Sequence, residues 1–98
     1  MTNLTGENFK LELGQEKPVL VGFSAPACDQ RALLAALEQE HGSRMNFCWV
    51  DTDRERELAR QFEILRAPTL VLLQQGQVLQ RIRGERSKEA LLQILDLN

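Results

Sequence analysis

The 98-residue chain holds two cysteines, and one of them has the local sequence of a reactive thiol. The run FSAPACDQR, residues 23–31, carries apolar strand residues up to Cys28 and a helical pattern away from it. A cysteine at the first turn of a helix faces unpaired backbone N–H groups and the positive end of the helix dipole, and both favour a thiolate. A thiolate in such a place is a nucleophile at neutral pH. Asp29 opposes that ionisation through its like charge. Arg31, one helical turn on and on the same face, favours it. Two readings of Cys28 stay open on residue types alone. It is an attacking thiol with Arg31 as its stabilising cation, or it is a half-buried structural cysteine beside an exposed arginine.

The other groups with chemical potential read more simply. Cys48 falls in the middle of NFCWV and is expected in the core. A disulfide needs Cα atoms within about 7 Å. A mid-strand residue lies several steps of roughly 3.3 Å below the loop of Cys28, so no Cys28–Cys48 disulfide is expected. His41, near a helix end, reads as a surface residue too far from Cys28 to serve as its base. Trp49 reads as core. One histidine and two cysteines are too few for a structural zinc site, and neither metal nor cofactor is expected.

These residues need elements to hold them. VLVGF, residues 19–23, is wholly apolar and reads as a strand buried on both faces, under helices. A helix follows from Asp29, with Leu33, Leu34 and Leu37 inward, Ala32 and Ala36 on the same side, Gln30, Glu38 and Gln39 polar, and Gly42 as its stop. MNFCWV, residues 45–50, is a second strand. DTD at 51–53 then caps a helix running to about Phe62, whose Arg54, Glu55, Arg56 and Glu57 form a solvated face. TLVLL is a third strand. Gln75-Gly76 turns into QVLQRIR, an edge strand with one wet side, which Gly84 breaks. Ser87 caps a last helix with Ala90, Leu91, Ile94 and Leu95 inward, and Thr5 is a possible cap near the N-terminus. The order predicts an α/β domain with a mixed central sheet of four to five strands flanked by helices. Its first three strands are expected to be parallel neighbours joined by right-handed crossovers.

Composition narrows the partners. The length fits a single domain over residues 1–98. A net charge of −2 gives no electrostatic case for nucleic acid or an anionic membrane. Four Phe, one Trp and no Tyr make a base-stacking surface unexpected. No apolar run is long enough for a membrane span. The N-terminal residues MTNLTGENFK do not read as a signal peptide, and a reducing cytoplasm is the expected compartment.

VLVGFSAPACDQR, the middle segment NFCWVDTDRERELARQF, and FEILRAPTLVLLQQGQVLQRIRGERSKEALLQIL together resemble the thioredoxin family over nearly the whole chain. LTGENF is similar to the family's first segment. The resemblance implies a thioredoxin-like fold with a cis peptide bond before Pro68, packed against the cysteine loop. It also implies that Ala67, Pro68 and Thr69 bind substrate, with the backbone at Ala67 pairing with an extended protein segment.

The same resemblance marks what is missing. The family's Cys-Gly-Pro-Cys is here Cys28, Asp29, Gln30 and Arg31. Its two loop tryptophans are Ser24 and Ala27, and its buried Asp, in Val-Asp-Phe, is Gly22. A thioredoxin attacks with the first thiolate and resolves the mixed disulfide with the second cysteine. With no thiol at position 31, ordinary dithiol reduction is not expected. Two functions remain. One is monothiol exchange through Cys28 with protein thiols or glutathione, resolved by an external thiol. The other is a catalytically inactive module that binds a partner or client protein at the groove beside Pro68. An arsenate-reductase kind of thiol enzyme is a further reading, and the Ala67-Pro68-Thr69 segment argues against it.

Overall fold

The apolar run at Val19 sets the centre of the sheet. In the computed structural model, which describes residues 1–97, the chain forms β1 (Thr2–Asn3), α1 (Phe9–Leu13), β2 (Val19–Ser24), α2 (Asp29–His41), β3 (Asn46–Asp51), α3 (Arg56–Gln61), β4 (Thr69–Gln74), β5 (Gln77–Arg83) and α4 (Lys88–Ile94). Every residue of β2 is buried. The five strands lie in the order β1-β3-β2-β4-β5, so the wholly apolar strand is the middle one. No described helix is long and apolar enough to cross a membrane.

The sheet is mixed, but not as the order of elements predicts. β1 and β2 both run parallel to β3. β4 instead lies antiparallel to β2, with Phe23 opposite Thr69 and Val19 opposite Leu73. The reason is length. α3 has six residues, about 9 Å of helix. It cannot return the chain along strands of six residues, about 20 Å. The chain therefore enters β4 from the end of the sheet at which β3 stops. β5 then pairs antiparallel with β4 through a turn in which Gln75 (φ 50°) and Gly76 (φ 81°) are both left-handed, as a primed two-residue turn requires.

Side chains alternate across the sheet and build two cores. Val19, Val21, Phe23, Cys48, Val50, Val71 and Leu73 face α1 and α3, where Leu13, Leu58 and Ala59 meet them. Leu20, Phe47, Trp49, Leu70 and Ile82 face the other way, toward Leu34 and Leu37 of α2 and Leu91 of α4. Ala32 and Ala36 are exposed and Leu33 only half-buried, because α2 turns a narrower face inward than its apolar residues suggested. His41 is half-buried at the end of α2 rather than on the surface. Lys88 of α4 and Glu40 of α2 form an ion pair that lowers the Glu40 carboxyl below its usual range.

The capping predictions divide. Ser87 caps α4, its hydroxyl accepting the Ala90 N–H at 3.1 Å. Thr5 accepts from the N–H groups of Glu7 and Asn8, while Asn8 Oδ1 accepts the Thr5 N–H at 2.8 Å, a reciprocal pair ahead of α1. DTD does not cap α3. Asp51 Oδ1 accepts the Asp53 N–H at 3.0 Å and holds a separate turn, and α3 starts only at Arg56. β1 had no signal, being two residues long at the sheet edge.

Two buried features carry measurable consequences. Cys48 is 2% exposed, and its burial, with Glu12 of α1 adding to it, pushes the thiol up to about 12. An unfolded cysteine ionises near 8.5 while the folded one stays neutral, so this contribution is intact at neutral pH and is lost as pH rises toward 12. Between pH 8 and pH 10, urea unfolding should show the native chain losing about 2 kcal/mol more stability than Cys48→Val. Gly22, in β2, lies under the Trp49 ring. A Cβ there would overlap Trp49 Cε3 and Cζ3 and press Leu34 Cδ1 at 2.9 Å. Gly22→Ala should cost about 1–3 kcal/mol. The cost should fall in a Trp49→Val background, as a double-mutant cycle in urea would measure.

Candidate functional site

Cys28 is the N-cap of the 13-residue α2, with φ −67° and ψ 137°, just after β2 has ended at Ser24. Its N–H donates to Ala25 O at 3.1 Å, and its carbonyl accepts the Arg31 N–H at 3.0 Å, opening the first helical turn. The side chain is half-buried and packs against the core on the α2 and α4 face. Cys48 belongs to the opposite core, and both cysteines are free. The central sheet thus separates the two thiols.

Arg31 reaches away from the loop. Its Nη2 donates to Asn3 Oδ1 at 3.4 Å, while Nε is buried with no partner. The guanidinium lines a cleft of about 320 Å³ with Pro26, Trp49 and Asp51, and Trp49 Nε1 is also buried and unpartnered. Among the described residues no hydrogen bond joins Arg31 to the Cys28 sulfur. Gln30, expected on the polar side, is 5% exposed; its Nε2 donates to Arg86 O at 3.0 Å and ties the first turn of α2 to the segment before α4.

Ala67, Pro68 and Thr69 reach the same end of the sheet by the antiparallel course of β4. Thr69 lies opposite Phe23, the residue before the end of β2. The Ala67–Pro68 peptide bond is cis. The Pro68 carbonyl accepts the Gly84 N–H at 2.9 Å, which fixes this segment to the end of β5. Ala67 is exposed, whereas Thr69 is 3% exposed and its hydroxyl donates to the Arg66 carbonyl. The threonine side chain is spent on holding the turn, and the open backbone is that of Ala67.

The place of the family's buried acid is closed. Gly22 offers no side chain, and Trp49 and Leu34 fill the space above it. Sequence reasoning noted the missing acid but not the ring that covers it, because Gly22 and Trp49 meet only through the β2–β3 register. It also missed an arginine-lined cleft beside Ala67. The readable signal was spacing: Arg56 and Arg60 one helical turn apart, and Arg81 and Arg83 alternating on a strand. Among the described residues no group of three His, Cys, Asp or Glu side chains is placed to hold a metal ion. The arrangement offers one accessible thiol at a helix N-terminus and an open backbone segment at the same end of the sheet.

Comparison with known proteins agrees with this architecture. The thioredoxin family model matches residues 1–97. A thioredoxin-like protein of Synechocystis is 35% identical over 88 residues, covering 86% of this chain and 84% of the relative. Thioredoxin of Bacillus subtilis is 31% identical over 96 residues, 94% of this chain and 91% of its own length. A bifunctional thioredoxin reductase/thioredoxin of Mycobacterium leprae is 37% identical over 87 residues, and there the chain spans 19% of the relative's length. With the fold, the family model over residues 1–97 and these relatives in agreement, the chain belongs to the thioredoxin family.

Proposed function

We propose that this thioredoxin-family protein carries out thiol–disulfide exchange with a single thiol, Cys28. The observation that carries the reading is the separation of the cysteines: Cys28 lies half-exposed at a helix N-terminus, and Cys48 is 2% exposed in the opposite core. The Cys28 thiolate attacks one sulfur of a disulfide, of a protein or of oxidised glutathione. The S–S bond breaks, the other sulfur leaves as a thiolate and takes up a proton, and a mixed disulfide forms on Cys28. A second external thiol then attacks that bond and restores Cys28, as a reducing cytoplasm would supply. The Arg31 guanidinium, one turn along, is held on Asn3.

Oxidised glutathione should give one adduct per chain, on Cys28 and not on Cys48, read by mass spectrometry of tryptic peptides. Cys28→Ser should carry none. The adduct should persist until an external thiol is added, because no second thiol can reach it. An adduct that discharges unaided would sink the reading.

A second reading is favoured by one observation, the Trp49 ring that closes the space above Gly22. With the acid's site filled and Ser24 and Ala27 in the loop, the chain is a binding module that uses the open backbone at Ala67. Under this reading Cys28→Ser retains the partner fully in a pull-down. Under monothiol exchange it loses the covalent fraction that resists boiling without reductant.

A further inference from the structure

A cleft of about 660 Å³ opens at Ala67, between α3, the segment 63–66 and the end of β5. Its charge departs from that of the chain. Among the described residues five arginines, Arg56, Arg60, Arg66, Arg81 and Arg83, line it against a single carboxylate, Glu63. The protein as a whole has a net charge of −2 and only 12 Lys and Arg residues, so this one cleft gathers a large share of its cations.

The fold uses few of them. Arg81 Nη1 donates to the Phe62 carbonyl at 2.6 Å, and Arg60 pairs with exposed Glu57 at 3.1 Å. Among the described residues Arg56, Arg66 and Arg83 form no ion pair. Like charges one helical turn apart, as at Arg56 and Arg60, destabilise a helix by a few tenths of a kcal/mol. Cations gathered at such a cost, without counter-charges, match an anionic ligand from outside. All five are arginine, whose planar fork holds a carboxylate with two parallel N–H bonds.

We infer that this cleft binds an acidic, extended segment of a partner protein. The spacing supports an extended chain. Arg81 and Arg83 are alternate residues of edge strand β5, and alternate side chains of an extended ligand recur at the same distance, about 6.6 Å. The walls support a peptide over a nucleic acid. Among the described residues no aromatic side chain lines the cleft for a base to stack on, whereas Ala59, Ile64 and Leu65, the last 87% exposed, offer an apolar seat for one side chain. The inference rests on the reading that the partner presents an extended segment beside Ala67. It does not need Cys28 to react.

The test uses a fluorescein-labelled, cysteine-free peptide of about nine residues, glutamates alternating with neutral residues around a central leucine. Fluorescence polarisation should show saturable binding that weakens steeply with salt. Arg56→Glu with Arg83→Glu should weaken it at least about tenfold without lowering the circular dichroism melt or changing the alkylation rate of Cys28. A peptide with lysines for the glutamates should not bind. Equal binding by the doubly reversed variant, or tighter binding of a single-stranded RNA of matched charge, would overturn the inference. Alkylation of Cys28 is read separately, so an inert thiol with intact peptide binding overturns monothiol exchange alone, and a reactive thiol without peptide binding overturns the acidic-segment inference alone.

Discussion

The antiparallel pairing of β4 with β2 is the constraint on which the rest depends. Phe23 opposite Thr69 brings the start of one strand to the end of the other. Had β4 run parallel, Thr69 would lie at the far end of the sheet, about 20 Å from the loop of Cys28. The segment Arg66–Pro68 would then have nothing to do with the thiol, and the arginines of β5 would point from the wrong end. A six-residue helix, too short to cross back over the sheet, decides the matter.

The sheet also acts as a partition. Alternation along β3 sends Phe47 and Trp49 to one face and Cys48 and Val50 to the other. A thiol placed one residue earlier or later on that strand would face the core that Cys28 touches. As the register stands, the two sulfurs have different surroundings and different chemistry: one is kept neutral by burial and the other ends a loop at a helix start. The same alternation puts Trp49 over Gly22, so the absence of a side chain at position 22 and the seating of the ring are one packing arrangement.

Much of this was legible in the residues. The unbroken apolar run at Val19 announced the central strand, the Gln75-Gly76 turn announced the hairpin, and Ser87 announced α4. Cys28 stood where a strand-to-helix junction predicts. What failed was whatever depended on distance through space. Strand direction turned on the length of α3, which sequence reasoning extended back to the DTD segment. The direction of the Arg31 side chain turned on Asn3, part of a two-residue strand with no periodicity to betray it. Gln30 looked polar and therefore wet, yet a carbonyl of the segment before α4 draws it inward. The basic cleft escaped because net charge averages over the surface, while three separate elements deliver its arginines to one place.

The Trp49 ring above Gly22 also has a meaning for how such a chain can change. A two-cysteine site in this chain would require a thiol at position 31, an acid at position 22 and a smaller side chain at position 49. Taken singly, the acid meets the ring, and the smaller side chain leaves a void in the core of α2. Each first step lowers stability before any second thiol is in use. The packing therefore holds the site in its present form, since the indole is easier to keep than to remove.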